Sequence, residues 1–200
     1  VSDIHGCINA FTKMLETIGF TDDDTMYIIG DMIDRGPSSI SVIKLIRERK
    51  NMIPLMGNHE WMLLEHVDDG DFSDSWNQNG NLELRTYLDE LDRREDQKFK
   101  QYKKELIQWF RDLPYWIELD DVILIHAGWY QWLLHKNVDE YVSRGLTMNQ
   151  ILSKQRLIDI VWVREEFFDY EVGEDVEKIC KKKKMVIFGH TPVLNRRICD

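Results

Sequence analysis

The sequence of 200 residues is short of cysteine, of proline, of positive charge and of long apolar runs. Each shortage excludes something. Three cysteines (Cys7, Cys180 and Cys199) are an odd number set far apart. They argue against a disulfide framework and for a reducing, cytoplasmic compartment. No uninterrupted apolar run exceeds four residues, against the ~20 a membrane helix needs, and no signal-peptide pattern opens the chain. The four prolines and eleven glycines build no linker, and no repeat is visible, so no domain boundary is expected. Lys and Arg number 26 against 36 Asp and Glu, a net charge of −10. Such a surface repels nucleic acid and anionic lipid, so neither is an expected partner, and a phosphate-bearing ligand needs a local positive site. What is present is ordinary: 43% hydrophobic and 31% charged residues rule out disorder and low complexity. The length suits one globular domain that buries roughly 70% of its unfolded surface.

Short apolar runs alternate with helical periodicity. Thr25 to Ile29, Met52 to Met56, Tyr115 to Leu119, Val122 to Ile125 and Met185 to Phe188 read as strands. Ile8, Phe11, Met14, Leu15 and Ile18 mark a helix stopped at Gly19. Further helices are predicted after Pro37-Ser38, after Glu60, and over Phe99, Tyr102, Leu106, Trp109 and Phe110. Residues 68–80 read as a loop, and the stretch up to about residue 180 is mixed. This alternation indicates a layered α/β domain.

Five strand-like runs lead to or are followed by turns rich in Asp, Asn, His and Gly: Ser2 to Gly6, Gly30 to Gly36, Gly57 to Glu60, His126 to Gly128, and Gly189 to Pro192. Ligands bind beyond the carboxyl ends of strands in open α/β sheets, so the five turns are expected to converge. Asp3 and His5 sit two apart and can aim at one cation. With Asp31, Asn58, His126 and His190 they offer three imidazoles, two carboxylates and an amide. Mixed N/O ligation without thiolate suits Mn²⁺, Fe or Zn²⁺ better than Ca²⁺. The set exceeds what one tetrahedral ion uses, so a two-metal centre is the economical reading. Singly, each residue has a plainer explanation: a lone Asp in such a turn caps a helix, a lone buried His is a hydrogen-bonded core residue, and turn glycines supply positive φ. Repetition favours the metal reading, because four of the six histidines stand in these turns near Gly. His66 and His135 are left structural.

The ordered set Ser-Asp-Ile-His-Gly, Gly-Asp-Met-Ile-Asp-Arg-Gly, Gly-Asn-His-Glu, His-Ala-Gly and Phe-Gly-His-Thr closely resembles the phosphoprotein-phosphatase branch of the calcineurin-like metallophosphoesterases. Trp162 to Glu166, and Trp76 with Asn79-Gly80, resemble the compact bacterial and phage serine/threonine phosphatases. The resemblance spans residues 2–192 and implies one domain over residues 1–200: a β-sandwich of two mixed sheets flanked by helices, in place of a simple doubly wound sheet. It implies that Asp3, His5 and Asp31 hold one divalent ion and that Asp31, Asn58, His126 and His190 hold a second. Mn²⁺ is the first expectation for both, with Fe or Zn²⁺ as alternatives. Water activated there attacks phosphorus, His59 protonates the leaving oxygen, Asp34 orients His59, and Arg35, Arg164 and Asn58 contact the phosphate. Two divalent ions and two arginines outweigh the carboxylates, so the site is positive within an acidic chain. Family members carry a strand before the first motif and further strands after the last, so the chain is expected to be trimmed at both ends.

The activity this resemblance implies is hydrolysis of phosphoserine or phosphothreonine in a protein or peptide. Symmetrical dinucleoside tetraphosphate hydrolases share nearly all these motifs, but their last motif reads Gly-His-Trp, where Thr191 follows Gly189-His190 here. A silent scaffold would have lost ligands, and a nuclease of the superfamily would lack Asp34-Arg35-Gly36. Three other features are read as structural: Lys181 to Lys184 as a solvated helix end, Asp68, Asp69, Asp71 and Asp74 as no calcium loop, and Cys7 as a small packed residue with redox sensitivity as a second option.

Overall fold

The computed structural model describes residues 1–69, 74–168 and 172–192. Contacts divide the chain into two units, Val1–Pro114 and Tyr115–Asp200.

The first unit opens on a turn that leads into α1 (Ile8–Ile18), whose apolar spacing buries Phe11 and Leu15. Gly19 ends it in the left-handed region (φ 65°), returning its N–H to the Glu16 and Leu15 carbonyls, as an αL cap does. β1 (Met26–Ile28) leads to α2 (Ser39–Glu48), which buries Ile40, Val42, Ile43 and Ile46. β2 (Met52–Pro54) then pairs parallel with β1, Met26 opposite Met52. This βαβ step places the exits of both strands side by side. The chain continues through α3 (Asn58–Asp69), α4 (Asp74–Gln78), α5 (Leu82–Arg93) and α6 (Gln97–Arg111). Asp96 caps α6 by accepting from the Lys98 N–H at 2.8 Å, and α5 packs on α6.

Two expectations change here. Part of the predicted loop at 68–80 is helical, since α4 covers 74–78; residues 70–73, including Asp71, lie outside the described residues. α5 has no counterpart among the predicted helices. Its buried Leu84, Leu88 and Leu91 have helical spacing, but they are diluted among charged residues that lower the apparent pattern.

In the second unit β3 (Trp116–Glu118) runs antiparallel to β4 (Val122–Ile125) across the turn at Asp120-Asp121. The mixed stretch resolves into α7 (Gln131–Ser143), α8 (Met148–Leu152), α9 (Leu157–Trp162), α10 (Glu165–Phe168) and α11 (Val172–Cys180). β5 (Met185–Ile187) returns parallel to β4, so this sheet has the order β3-β4-β5 and is mixed. Ile123, Leu124 and Ile125 are all buried, as befits a central strand covered on both faces. Trp129 and Phe167 meet edge-on at 4.8 Å. Trp129 donates to Gln131, Gln131 to Asp175 at 2.8 Å, and His135 Nδ1 lies 2.9 Å from the same Asp175 oxygen. His135 is thus tied into a hydrogen-bonded chain with Asp175 and Gln131. The basic run is not simply solvated: Lys184 is nearly buried and donates to Glu118 at 2.8 Å and to the Leu119 carbonyl at 2.7 Å. Cys7 is exposed rather than packed, because it sits at the N-cap position of α1, where the chain turns outward. Cys199 lies outside the described residues. Among the described residues, no helix is long and apolar enough to cross a membrane.

Candidate metal centre

In the first unit the strand-end turns are bound into one another by their own backbone. The His5 and Gly6 N–H groups donate to the Asp31 and Met32 carbonyls at 2.9 and 2.8 Å, and the Gly36 N–H donates to the His5 carbonyl at 2.9 Å. Seven non-glycine residues among those described have positive φ, and six are motif residues: Asp3, His5, Asp31, Asp34, Arg35 and His190. Left-handed backbone costs an L-residue roughly 1–2 kcal/mol, and such strain persists where surrounding structure over-determines it at functional sites. Glycine supplies the close approaches. A Cβ at Gly36 would lie 2.1 Å from the His5 carbonyl oxygen, and one at Gly57 would lie 2.3 Å from the Asp31 nitrogen.

Glu60 holds the second turn in place. Its buried carboxylate accepts four backbone N–H groups: Asp31 (2.9 Å) and Gly57 (3.0 Å) on one oxygen, Met32 (2.8 Å) and Ile33 (3.3 Å) on the other. Glu60 stands in the Gly-Asn-His-Glu motif, where the sequence pattern gives it no role of its own. Nothing in its spacing distinguishes it from an exposed acid in the first turn of a helix, which is also a favourable place for negative charge.

The turns present His5, Asp31 and His59 to a common point, with ligand atoms all within 4.8 Å of one another. His5 Nδ1 pairs with the Ile33 carbonyl at 3.0 Å, which requires the proton on Nδ1 and leaves Nε2 as a lone pair. His59 Nδ1 pairs with Asp34 Oδ2 at 2.7 Å, with the same consequence. Both Nε2 atoms accept from one guanidinium, Arg35, at 2.9 and 3.0 Å. Two imidazole lone pairs thus already converge on a cation, and the Asp31 carboxylate lies 3.7 Å from His5 Nε2. This donor set fits a divalent metal. Burial pushes the His5 pKa down, against the opposing pull of the Ile33 carbonyl and Asp31, which favours the neutral imidazole a metal needs. Burial pushes the Asp34 carboxyl up, while hydrogen bonds from His59 and Trp76 oppose the shift.

The sequence predicts Asp3 beside His5 and Asp31. The ligand atoms that the structure gathers with those two belong to His59; Asp3, three residues from Gly6 in the opening turn, is exposed and accepts from the Ser2 hydroxyl. Asn58, buried, opens α3 immediately before His59.

In the second unit the parallel pairing of β4 and β5 brings the ends of those strands together. The Gly189 N–H donates to the His126 carbonyl at 2.8 Å, and the imidazoles of His126 and His190 meet edge-on at 5.1 Å, both buried. Gly128 fits where a Cβ would lie 2.6 Å from the Phe167 ring. Arg164 is exposed and donates to the His190 carbonyl at 3.3 Å.

A family model described as calcineurin-like phosphoesterase matches residues 1–194. Among curated proteins, the symmetrical bis(5'-nucleosyl)-tetraphosphatase of Acidovorax ebreus is 46% identical over 66 residues, 32% of this chain and 24% of that protein. The protein of the same name from Chromobacterium violaceum is 28% identical over 152 residues, 74% of this chain and 50% of its own. The chain thus spans about a quarter to a half of the length of these relatives. Among solved structures, a cold-active protein-tyrosine phosphatase of a psychrophilic Shewanella species superposes with a TM-score of 0.61 at 20% identity, over 96% of this chain and 64% of that one. At that identity the likeness is one of fold. The family match extends over both units and all five motif turns, and by it the chain belongs to the calcineurin-like phosphoesterase family.

Proposed function

We propose that the chain carries the active site of a metal-dependent hydrolase that splits dinucleoside tetraphosphates symmetrically, diadenosine tetraphosphate and water giving two ADP. The His5 Nε2 lone pair, 3.7 Å from the Asp31 carboxylate, carries the metal-dependent part of this reading, and His59 stands beside them as the acid. The curated relatives support the substrate, and so reverse the order in which the sequence alone ranked the two activities.

In this reading Asp3, His5 and Asp31 hold one divalent ion, and Asp31, Asn58, His126 and His190 are assigned to a second by the family's motifs. Such ions, Mn²⁺ first with Fe or Zn²⁺ as alternatives, supply Lewis acidity that activates water and neutralises phosphate charge. Arg35 exchanges its two imidazole partners for phosphate oxygens, which match its planar fork. Arg164 and the Asn58 amide take further phosphate oxygens. His59, once protonated at Nε2, donates to the leaving oxygen, while Asp34 fixes Nδ1 and balances the imidazolium charge.

A second reading, a phosphoserine/phosphothreonine protein phosphatase, is favoured by one observation: Thr191-Pro192 follows Gly189-His190 in place of tryptophan. Parallel assays of the Mn²⁺-supplemented protein on diadenosine tetraphosphate and on phosphoserine peptides decide between them. ADP as the sole nucleotide product, with the dinucleotide the better substrate by kcat/KM, is expected. Faster turnover of the peptides would establish the second reading and overturn the first.

A further inference from the structure

Trp76 opens a segment that the sequence marked by resemblance and that no step above uses. Its indole is fully buried, and its Nε1–H donates to Asp34 Oδ2 at 2.8 Å. A buried indole N–H needs an acceptor; here it takes the same carboxylate oxygen that accepts from His59 Nδ1. Asp34 Oδ1, also buried, makes no hydrogen bond among the described residues. The carboxylate is therefore held asymmetrically, by two donors on one oxygen. The torsion that turns a carboxylate is broad. A single donor leaves it free to exchange oxygens, whereas a second donor from another direction fixes it.

The same segment reaches Arg35. The Arg35 N–H donates to the Gly80 carbonyl at 2.8 Å, and Gly80, at φ 83°, comes so close that a Cβ would lie 3.0 Å from the Arg35 nitrogen. The Asn79 N–H returns to the Trp76 carbonyl at 3.1 Å. Residues 76–80 thus touch two adjacent left-handed residues, Asp34 at φ 69° and Arg35 at φ 62°. The indole itself is seated against His66, ring centroids 4.9 Å apart.

We infer that Trp76 is a positioning residue for proton transfer: its N–H locks the Asp34 carboxylate, and through it sets where His59 Nε2 points. This rests on the proposed role of His59 as the acid. Removing the donor while keeping an aromatic ring leaves metal and phosphate groups in place but lets the imidazole wander.

The test is Trp76→Phe in the Mn²⁺-loaded full chain, in wild-type and His59→Asn backgrounds, on phenyl phosphate and p-nitrophenyl phosphate. Phenolate is the poorer leaving group and depends more on protonation. Because Trp76 acts on the imidazole only through Asp34, losing a hydrogen bond of typical net strength should lower kcat on phenyl phosphate about three- to tenfold. The loss on p-nitrophenyl phosphate should be smaller, with KM and bound Mn²⁺ unchanged. Where His59 is already Asn, Trp76→Phe should cost nothing further. Equal losses on both substrates, or an undiminished loss in the His59→Asn background, overturn the inference. If His59→Asn itself loses equally on both substrates, the acid role fails and this inference falls with it. A readout independent of turnover is the indole N–H region of the proton NMR spectrum of the metal-free protein. Asp34→Asn should move one of the seven indole resonances, and an unchanged set would equally overturn it.

Discussion

Replacing Glu60 by Gln changes the size of a buried side chain hardly at all and its hydrogen-bonding capacity decisively. The carboxylate serves four N–H donors, two on each oxygen. An amide keeps one oxygen and presents an NH₂ in place of the other, so either Met32 and Ile33 or Asp31 and Gly57 face a donor instead of an acceptor. Two buried N–H groups left unsatisfied, at about 1–3 kcal/mol each, put the loss at about 2–6 kcal/mol. That is a large part of the 5–15 kcal/mol a domain typically has. Glu60→Asp keeps the charge but withdraws it by one methylene, and should lose less. Urea unfolding of the metal-free protein followed by circular dichroism measures the stability, and calorimetric titration with Mn²⁺ reads the loop that carries Asp31. A loss under about 1 kcal/mol for Glu60→Gln, with wild-type Mn²⁺ affinity, would refute the claim that this carboxylate holds the loop.

Other substitutions probe separate features. Gly36→Ala drives a methyl into the His5 carbonyl and should cost several times more stability than Gly19→Ala, which has open space and only the ~1–2 kcal/mol of left-handed strain; comparable Tm losses would contradict the close packing of the two turns. Arg35→Ala should weaken inhibition by inorganic phosphate, and unaltered inhibition removes Arg35 from phosphate binding. Tyr87, pushed up to about 12 by burial and then by its hydrogen bond with Tyr102, stays protonated in the folded state after an unfolded tyrosine, at 10.0, has ionised. Its contribution is therefore complete below pH 10.0 and lost as pH rises toward about 12. Tyr87→Phe should flatten that decline in a pH series of unfolding curves, and an identical decline would show that Tyr87 is not its source.

Much of the candidate site is legible as strand-end turns because its motifs are local. Asp31, Asn58, His126 and His190 each follow a strand, and strand exits are where a sheet places ligands. The long amphipathic α6 and the Gly19 stop of α1 were readable from spacing alone. What escaped was long-range. Trp76 and three of the four Glu60 hydrogen bonds reach residues 27 to 42 positions away, and no periodicity announces such a partner. The approach of His59 to His5 and Asp31 is likewise set by three turns packing together, not by any one motif. Cys7 and Lys184 were misjudged because exposure at a helix entry and burial under a β-turn depend on neighbours remote in the chain.

The central claim is that these turns form a divalent-metal centre, and the most direct measurement is Mn²⁺ binding by calorimetry to the wild type and to Asp31→Asn, His5→Ala and His135→Ala. The account predicts two ions per wild-type chain, loss of binding in Asp31→Asn, loss of one ion in His5→Ala, and no change in His135→Ala. Unaltered Mn²⁺ binding by Asp31→Asn and His5→Ala would contradict it.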